Sequence, residues 1–385
     1  MTEQKLKKLI GLMSLMGIIG SMGLMGCSSE NTEEQGSPTP PPTEVAISFS
    51  GSESQENAVT RAAGTPLSAA GVSQFHVWGY KNMDYNDGSG AYGGTQTVFP
   101  GYQVDWHDNT AATTTTNSSG WEYILPGLPG LPDQTIKYWD WGAKAYRYFA
   151  VTGTPTHTLN GTAHEFTFAA DASSTEAMNT TPYFTRLWFS TGNQVAYPDK
   201  QFGKPVTLEF VKPYTRVRYL FKYAYPREGI KLTEKSFKPT SDLTAADDDK
   251  GKIARKGTVT VHYPTEGTAT KEWYTVAVDG DKSTRLDSFT EDYDPDDDGK
   301  VYSETNEGWY MVLPRDTQDS YTLSVRVNGI ARTAVVPAEY MQWLPGYSYT
   351  YIFKITEEGG VEIGWVEYAV VPWIEMEVSK SVYNW

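Results

Sequence analysis

The chain has 385 residues, with 32 Lys and Arg against 47 Asp and Glu, a formal net charge of −15. That balance argues against nucleic acid or an anionic membrane surface as a partner. Aromatic residues make up 14%, with 26 Tyr and 12 Trp, and there is one cysteine, so no internal disulfide can form. A chain of this length can still build a sizeable core, and the aromatic content suits sheets with broad apolar faces.

The chain opens with a basic stretch, Lys5, Lys7 and Lys8, followed by an apolar and small-residue run from Leu9 to Gly26. The run closes Leu24-Met25-Gly26-Cys27. A basic head, an apolar middle and a small-residue end make a secretory signal. A membrane-spanning helix needs about 20 strongly apolar residues, and Gly and Ser thin this run. The Leu-x-Gly-Cys ending resembles a bacterial lipobox, in which the cysteine becomes the first mature residue and is acylated. Residues 1–26 are therefore expected to be a lipoprotein signal and Cys27 the lipidation site. Residues 27–44, rich in Ser, Glu, Pro and Thr and lacking aromatics, read as a disordered tether. Glu30, Glu33 and Glu34 resemble the acidic export signal of surface-exposed lipoproteins.

Beyond the tether, period-two alternation recurs and long helical periodicity is scarce. It predicts strands at 45–49, 75–80, 145–151, 165–168, 206–211, 216–223, 258–263, 273–278, 309–313, 321–327, 333–336, 347–355, 361–365 and 374–378. Segments 103–120 and 239–256 read as long loops, and 338–343 as a short helix. The fold class is all-β. Two halves are expected, 45–208 and 209–385.

Between Cys27 and Thr60 there is no Lys or Arg, and the first basic residue is Arg61, in AVTRAAGTP. Small neighbours, Gly64 and Pro66 make the Arg61–Ala62 bond a good substrate for a trypsin-like protease; a linker with one arginine would read the same. Upstream, Val45, Ile47 and Phe49 share one face of a strand. At the C-terminus, Ile374, Met376 and Val378 share a face opposite Glu375, Glu377 and Ser379. Periodicity does not separate a donor strand from a resident edge strand there.

No nucleophile elbow, HExxH, P-loop or CxxC motif is present, the histidines lack metal-ligand spacing, and no catalytic residue or cofactor is assigned. Asp294, Asp296 and Asp298 with Gly299 resemble the start of a Ca²⁺ loop. Glu304 falls one position early and Pro295 interrupts the string, so a solvated acidic turn is the preferred reading. Trp121, Tyr138, Trp139 and Trp141 could form a sugar-stacking platform, although aromatics at strand spacing are more often core or cross-strand pairs.

Four segments together resemble the fimbrillin-like proteins of Bacteroidales. LPGYSYTYIFKIT (344–356) resembles a Pro-Gly turn feeding an aromatic strand. KPVTLEFVKPYTRVRYLFKY (204–223) resembles a strand pair, and FHVWGYK (75–81) and KAYRYFAVTGTP (144–155) resemble earlier strands. The family commonly has a His in the turn between the paired strands; here the turn reads Val211-Lys212-Pro213-Tyr214. The resemblance implies two tandem transthyretin-like β-sandwiches and a structural adhesion role rather than an enzyme. It also implies an Arg-specific protease that cuts after Arg61 and removes the first strand. Other pilus subunits would then assemble by strand addition. The protein would be an outer-membrane lipoprotein exposed at the surface, passing into a fimbrium and meeting a host or bacterial surface ligand. A lipid-anchored glycan-binding protein is the alternative.

The thiol of Cys27 is the acyl acceptor in this reading. Cys27→Ser is expected to abolish incorporation of a fatty-acid analogue in cells. Equal labelling of wild type and variant would overturn the lipobox.

Overall fold

The computed structural model describes residues 45–53, 67, 71–84, 94–106, 120–124, 134–191, 202–223, 230–244, 252–289, 309–315, 319–356 and 359–370. Among them the chain is all-β, with one short helix.

Eight strands form the first sheet: β1 (Phe49–Glu53), β2 (Gln74–Asn82), β3 (Thr95–Trp106), β4 (Trp121–Glu122), β5 (Ala145–Val151), β8 (Phe184–Thr185), β9 (Trp188–Thr191) and β10 (Val206–Val211). Their order is β1-β10-β8-β5-β2-β3-β4, with β9 also on β5. One face of the sheet packs an aromatic core. Phe49 meets Phe99 at 5.1 Å between centroids, and Phe75 meets Phe210 at 5.2 Å. The run Ala-Tyr-Arg-Tyr-Phe-Ala-Val of β5 is buried at every position, as a near-continuous apolar run implies for a strand covered on both faces.

The cover on the second face is a four-stranded sheet, β14-β13-β7-β6. It combines β6 (Thr156–Asn160) and β7 (Ala163–Asp171) with β13 (Lys256–Pro264) and β14 (Trp273–Val278). Phe149 of β5 stacks on Tyr263 of β13 at 4.2 Å and 4°. Arg147, fully buried, donates to the carbonyl of Gly267 at 2.5 Å and to Asn82 Oδ1.

The remaining strands are β11 (Thr215–Tyr223), β12 (Leu232–Pro239), β15 (Tyr310–Val312), β16 (Tyr321–Val327), β17 (Ile330–Val336), β18 (Tyr347–Ile355) and β19 (Val361–Val370). They make the sheets β15-β11-β18-β19 and β12-β16-β17. These share a core in which Phe237 meets Tyr219, Tyr351 and Phe353 at 5.8, 5.2 and 5.6 Å.

Three sequence expectations change. The boundary at 208/209 falls inside β10, and the β13–β14 hairpin, from beyond it, pairs with β7 from Lys256↔Asp171 to Pro264↔Ala163. The described residues accordingly form one compact unit. The loop expected from 103 is strand through Trp106, because Val104 enters the core and Trp106 packs on Trp121 at 5.3 Å. The loop expected over 239–256 is trimmed at both ends, since Pro239 closes β12 and Lys256 opens β13, with a 3-10 turn at Thr240–Leu243 between.

Lys212, where the resembled family often has His, is buried. Its ammonium donates to the carbonyls of Met178 (3.1 Å), Asn179 (3.0 Å) and Thr181, and lies 4.2 Å from the Tyr183 ring. Those carbonyls end helix α1 (Thr175–Thr180), where backbone acceptors lack intrahelical partners and a cation is favoured.

Gly79 of β2 shows why one residue must be small. A Cβ there would stand 2.6 Å from the Tyr148 ring and 2.9 Å from that of Phe99, both fully buried. Gly79→Ala is expected to destabilise the protein by about 1–3 kcal/mol in urea unfolding, the usual cost of overpacking. A change within error of zero would refute the packing account.

Candidate functional site

The first site is the N-terminal strand. Residues 45–47 run antiparallel to 137–139, with Ile47 N–H donating to the Lys137 carbonyl at 2.7 Å and Trp139 N–H to that of Val45 at 3.0 Å. The chain then changes partner, and β1 runs parallel to β10 from Phe49↔Val206 to Glu53↔Phe210. Regular strand therefore begins at Phe49 rather than at Val45. β1 ends the sheet order.

Ile47 and Phe49 are fully buried, and Val45 is half-buried against the same core. The Phe49 ring lies 5.1–6.1 Å from Phe99, Tyr148 and Tyr123. The Tyr123 hydroxyl donates to the Ile47 carbonyl at 2.8 Å. Burial holds the Tyr148 and Tyr123 phenols well above their ordinary range. Leu67, also fully buried, packs beside Gly51. The strand is thus attached by backbone ladders on two partners and by two large side chains in an aromatic pocket.

Cys27, Arg61, Ala62, Asp294, Asp296, Asp298, Ile374, Met376 and Val378 lie outside the described residues. Among the described residues no three His, Cys, Asp or Glu side chains gather as a metal site, and no helix is long and apolar enough to cross a membrane.

Of the two readings of the aromatics at 121–141, core packing holds and the platform does not. Trp121 and Trp139 are 1% and 4% exposed. Trp121 packs on Phe75, and Trp139 on Tyr146 and Phe202. Trp141 is half-buried against the same core, and only Tyr138 is exposed. Burial therefore rules out a sugar platform there.

An aromatic cleft that the sequence reading missed lies between β9, the start of β14 and residues 342–347, with a volume of about 860 Å³. Arg186, Trp188, Glu272, Trp273, Tyr274 and Tyr347 line it. Glu272 is nearly buried; one oxygen accepts the Leu187 N–H at 2.7 Å, and the other accepts the Tyr274 hydroxyl. The Arg186 guanidinium lies 4.6 Å from the Tyr347 ring and 3.6 Å from Glu272. Trp273 is 43% exposed, with one face on the parallel His262 ring at 5.1 Å and 5°. The Lys-Glu-Trp-Tyr string at 271–274 carries an acid and two aromatics side by side, but nothing local marks it as facing a cleft.

With this geometry in hand, comparison with known proteins adds a likeness. No family profile matches the chain, and no curated protein matches it. Among solved structures it is similar to a fimbrial protein from Bacteroides vulgatus, at 12% identity over 84% of this chain and 99% of that one, with a TM-score of 0.33. It is similar to a candidate cell adhesion protein from Parabacteroides distasonis, at 11% identity over 87% and 100%, with a TM-score of 0.36. A fimbrial assembly protein from the same species is similar at 13% identity over 84% and 99%, with a TM-score of 0.30.

His164 is buried and meets His157 of the exposed strand β6. His164 Nε2 meets the Tyr80 hydroxyl at 2.5 Å, and its Nδ1 meets His157 Nε2 at 2.7 Å. Burial, with His157 beside it, pushes the His164 imidazole down from 6.5 to about 4. Between those values the unfolded chain binds more protons than the folded one. This contribution to stability is full above pH 6.5 and is lost as pH falls toward 4. Unfolding free energy is expected to drop between pH 7 and pH 4.5, less steeply in His164→Asn. Identical pH slopes in the two proteins would refute it.

Proposed function

We propose that the protein is a cell-surface adhesion subunit, delivered to the outer membrane as a lipoprotein through Cys27 and cut between Arg61 and Ala62. It then joins a fimbrium by accepting a strand from another subunit. The observation that carries this reading is the attachment of residues 45–53. They precede the cut, stand at the end of the sheet order and rest on buried Ile47 and Phe49. Their removal would bare the partner backbone at 137–139 and β10, and the rings of Phe99, Tyr123 and Tyr148. Exposed backbone in register beside an apolar groove is a template for strand addition. A replacing strand needs alternating apolar residues, and Ile374, Met376 and Val378 of another copy have that spacing. Leu67 lies downstream of the cut and would stay with the body.

Limited trypsin is expected to release a new N-terminus at Ala62 before any other. The severed strand stays bound at first, because cutting a connection does not break a ladder. It is then displaced by a competing strand, and oligomers appear on size-exclusion chromatography. Arg61→Ala stays monomeric, and Ile47→Asp loosens the strand without cutting, since it buries an unpaired charge. First cleavage elsewhere, or strictly monomeric cut protein with partner subunits present, would overturn the mechanism.

A further inference from the structure

We propose that the cleft between β9, β14 and residues 342–347 binds a neutral oligosaccharide. Its volume of about 860 Å³ falls within the range of roughly 300–1,000 Å³ typical of small-ligand sites. Its walls join ring faces to a few fixed polar groups, the combination such sites use. Trp273 is the strongest single feature. Its indole is 43% exposed and lies in the cleft lining beside Arg186, Glu272 and Tyr347. His262 holds it flat from one side, and His262 is itself fixed by Thr275 at 2.9 Å and Glu165 at 3.3 Å. With one face on His262, the ring has a second face for a sugar to stack on, whose axial C–H groups carry the partial positive charge that a π-face attracts.

The polar groups suit hydroxyls rather than a net charge. The charged residues of the lining, Arg186, Lys271 and Arg315 against Glu209 and Glu272, come close to balance, and the chain's net charge of −15 disfavours an anion. Arg186 contacts Glu272 at 3.6 Å and the Pro345 carbonyl at 3.4 Å. Both are long against the 2.7–2.9 Å of a good charge-assisted bond. The guanidinium therefore keeps donor capacity for a ligand oxygen. Glu272 is held by the Leu187 N–H and the Tyr274 hydroxyl, so its carboxylate is positioned before any ligand arrives. This binding does not depend on cleavage or strand addition.

The test is intrinsic tryptophan fluorescence of the full protein titrated with gluco-, manno-, galacto- and N-acetylglucosamine oligosaccharides, with sialylated and sulfated glycans and an extended peptide of alternating Val and Thr as separate arms. At least one neutral oligosaccharide is expected to give a saturable change. Trp273→Ala should weaken it at least tenfold and Trp273→Phe less, because stacking partly survives. Arg186→Met should weaken it similarly. Val278→Ala, at the far end of the same strand, should leave it unchanged, as should Arg61→Ala. No response to any neutral oligosaccharide overturns the proposal. So does binding indifferent to Trp273→Ala, or a response confined to charged glycans or to the peptide.

Discussion

Every side chain of β5 is buried, and this double cover constrains the rest of the molecule. Tyr146 and Tyr148 face one core, while Phe149 and Val151 face another. A strand covered on both sides must be paired at both edges and roofed on both faces before its polar groups are satisfied. The chain supplies the second roof from far away. The β13–β14 hairpin crosses from the later part of the chain, pairs with β7 and stacks Tyr263 on Phe149. Arg147 then ties β5 to the connection between β13 and β14 through the Gly267 carbonyl. Its charge is buried among an amide oxygen, a carbonyl and the Phe189 face, which makes that junction depend on complete partnering. The two halves consequently share a sheet, and a cut at 208/209 would split β10 as well.

What the sequence made legible was local. Runs such as 145–151, 206–211, 321–327 and 347–355 coincide with strands to the residue, because β-branched and aromatic residues alternate there between clear turn formers. Hidden strands had weaker local signals. In β3, Pro100 and Gly101 interrupt the alternation, and the register with β2 shifts at that point. In β12, the polar run Thr233-Glu234-Lys235-Ser236 separates Leu232 from Phe237 and the register with β16 also shifts. β6 is exposed along its whole length and is held by β7 alone, so no apolar pattern announced it. Which strand meets which was not legible, since pairing of 256–264 with 163–171 is a long-range choice made by packing.

The site followed the same rule. The burial of Ile47 and Phe49 agrees with the apolar alternation read at 45–49, yet that pattern could not reveal the change of partner from 137–139 to β10. The tryptophans at 121–141 pack in the core, the commoner role of aromatics at strand spacing. Period-two spacing of Trp139 and Trp141 cannot tell an outward platform from a core pair, and Phe202 and Tyr146 decide for the core. Trp273 looked like an ordinary strand residue because its exposure depends on β14 standing at the end of its sheet.

The N-terminal strand and the cleft meet at β10. One edge of β10 carries β1, and its Thr207 and Glu209 line the cleft. The Ser50 hydroxyl donates to Thr207 Oγ1 at 3.1 Å, so a hydroxyl of the first strand already reaches a residue of the cleft wall. Any strand that took the place of β1 would set its own side chain beside Thr207 where Ser50 now stands. A small polar residue would preserve the hydrogen bond and the orientation of Thr207. A branched apolar one would leave that hydroxyl to seek water or a ligand. The hydrogen bond between Ser50 and Thr207 thus links the edge strand to the cleft wall at one residue, away from Arg186, Glu272 and Trp273.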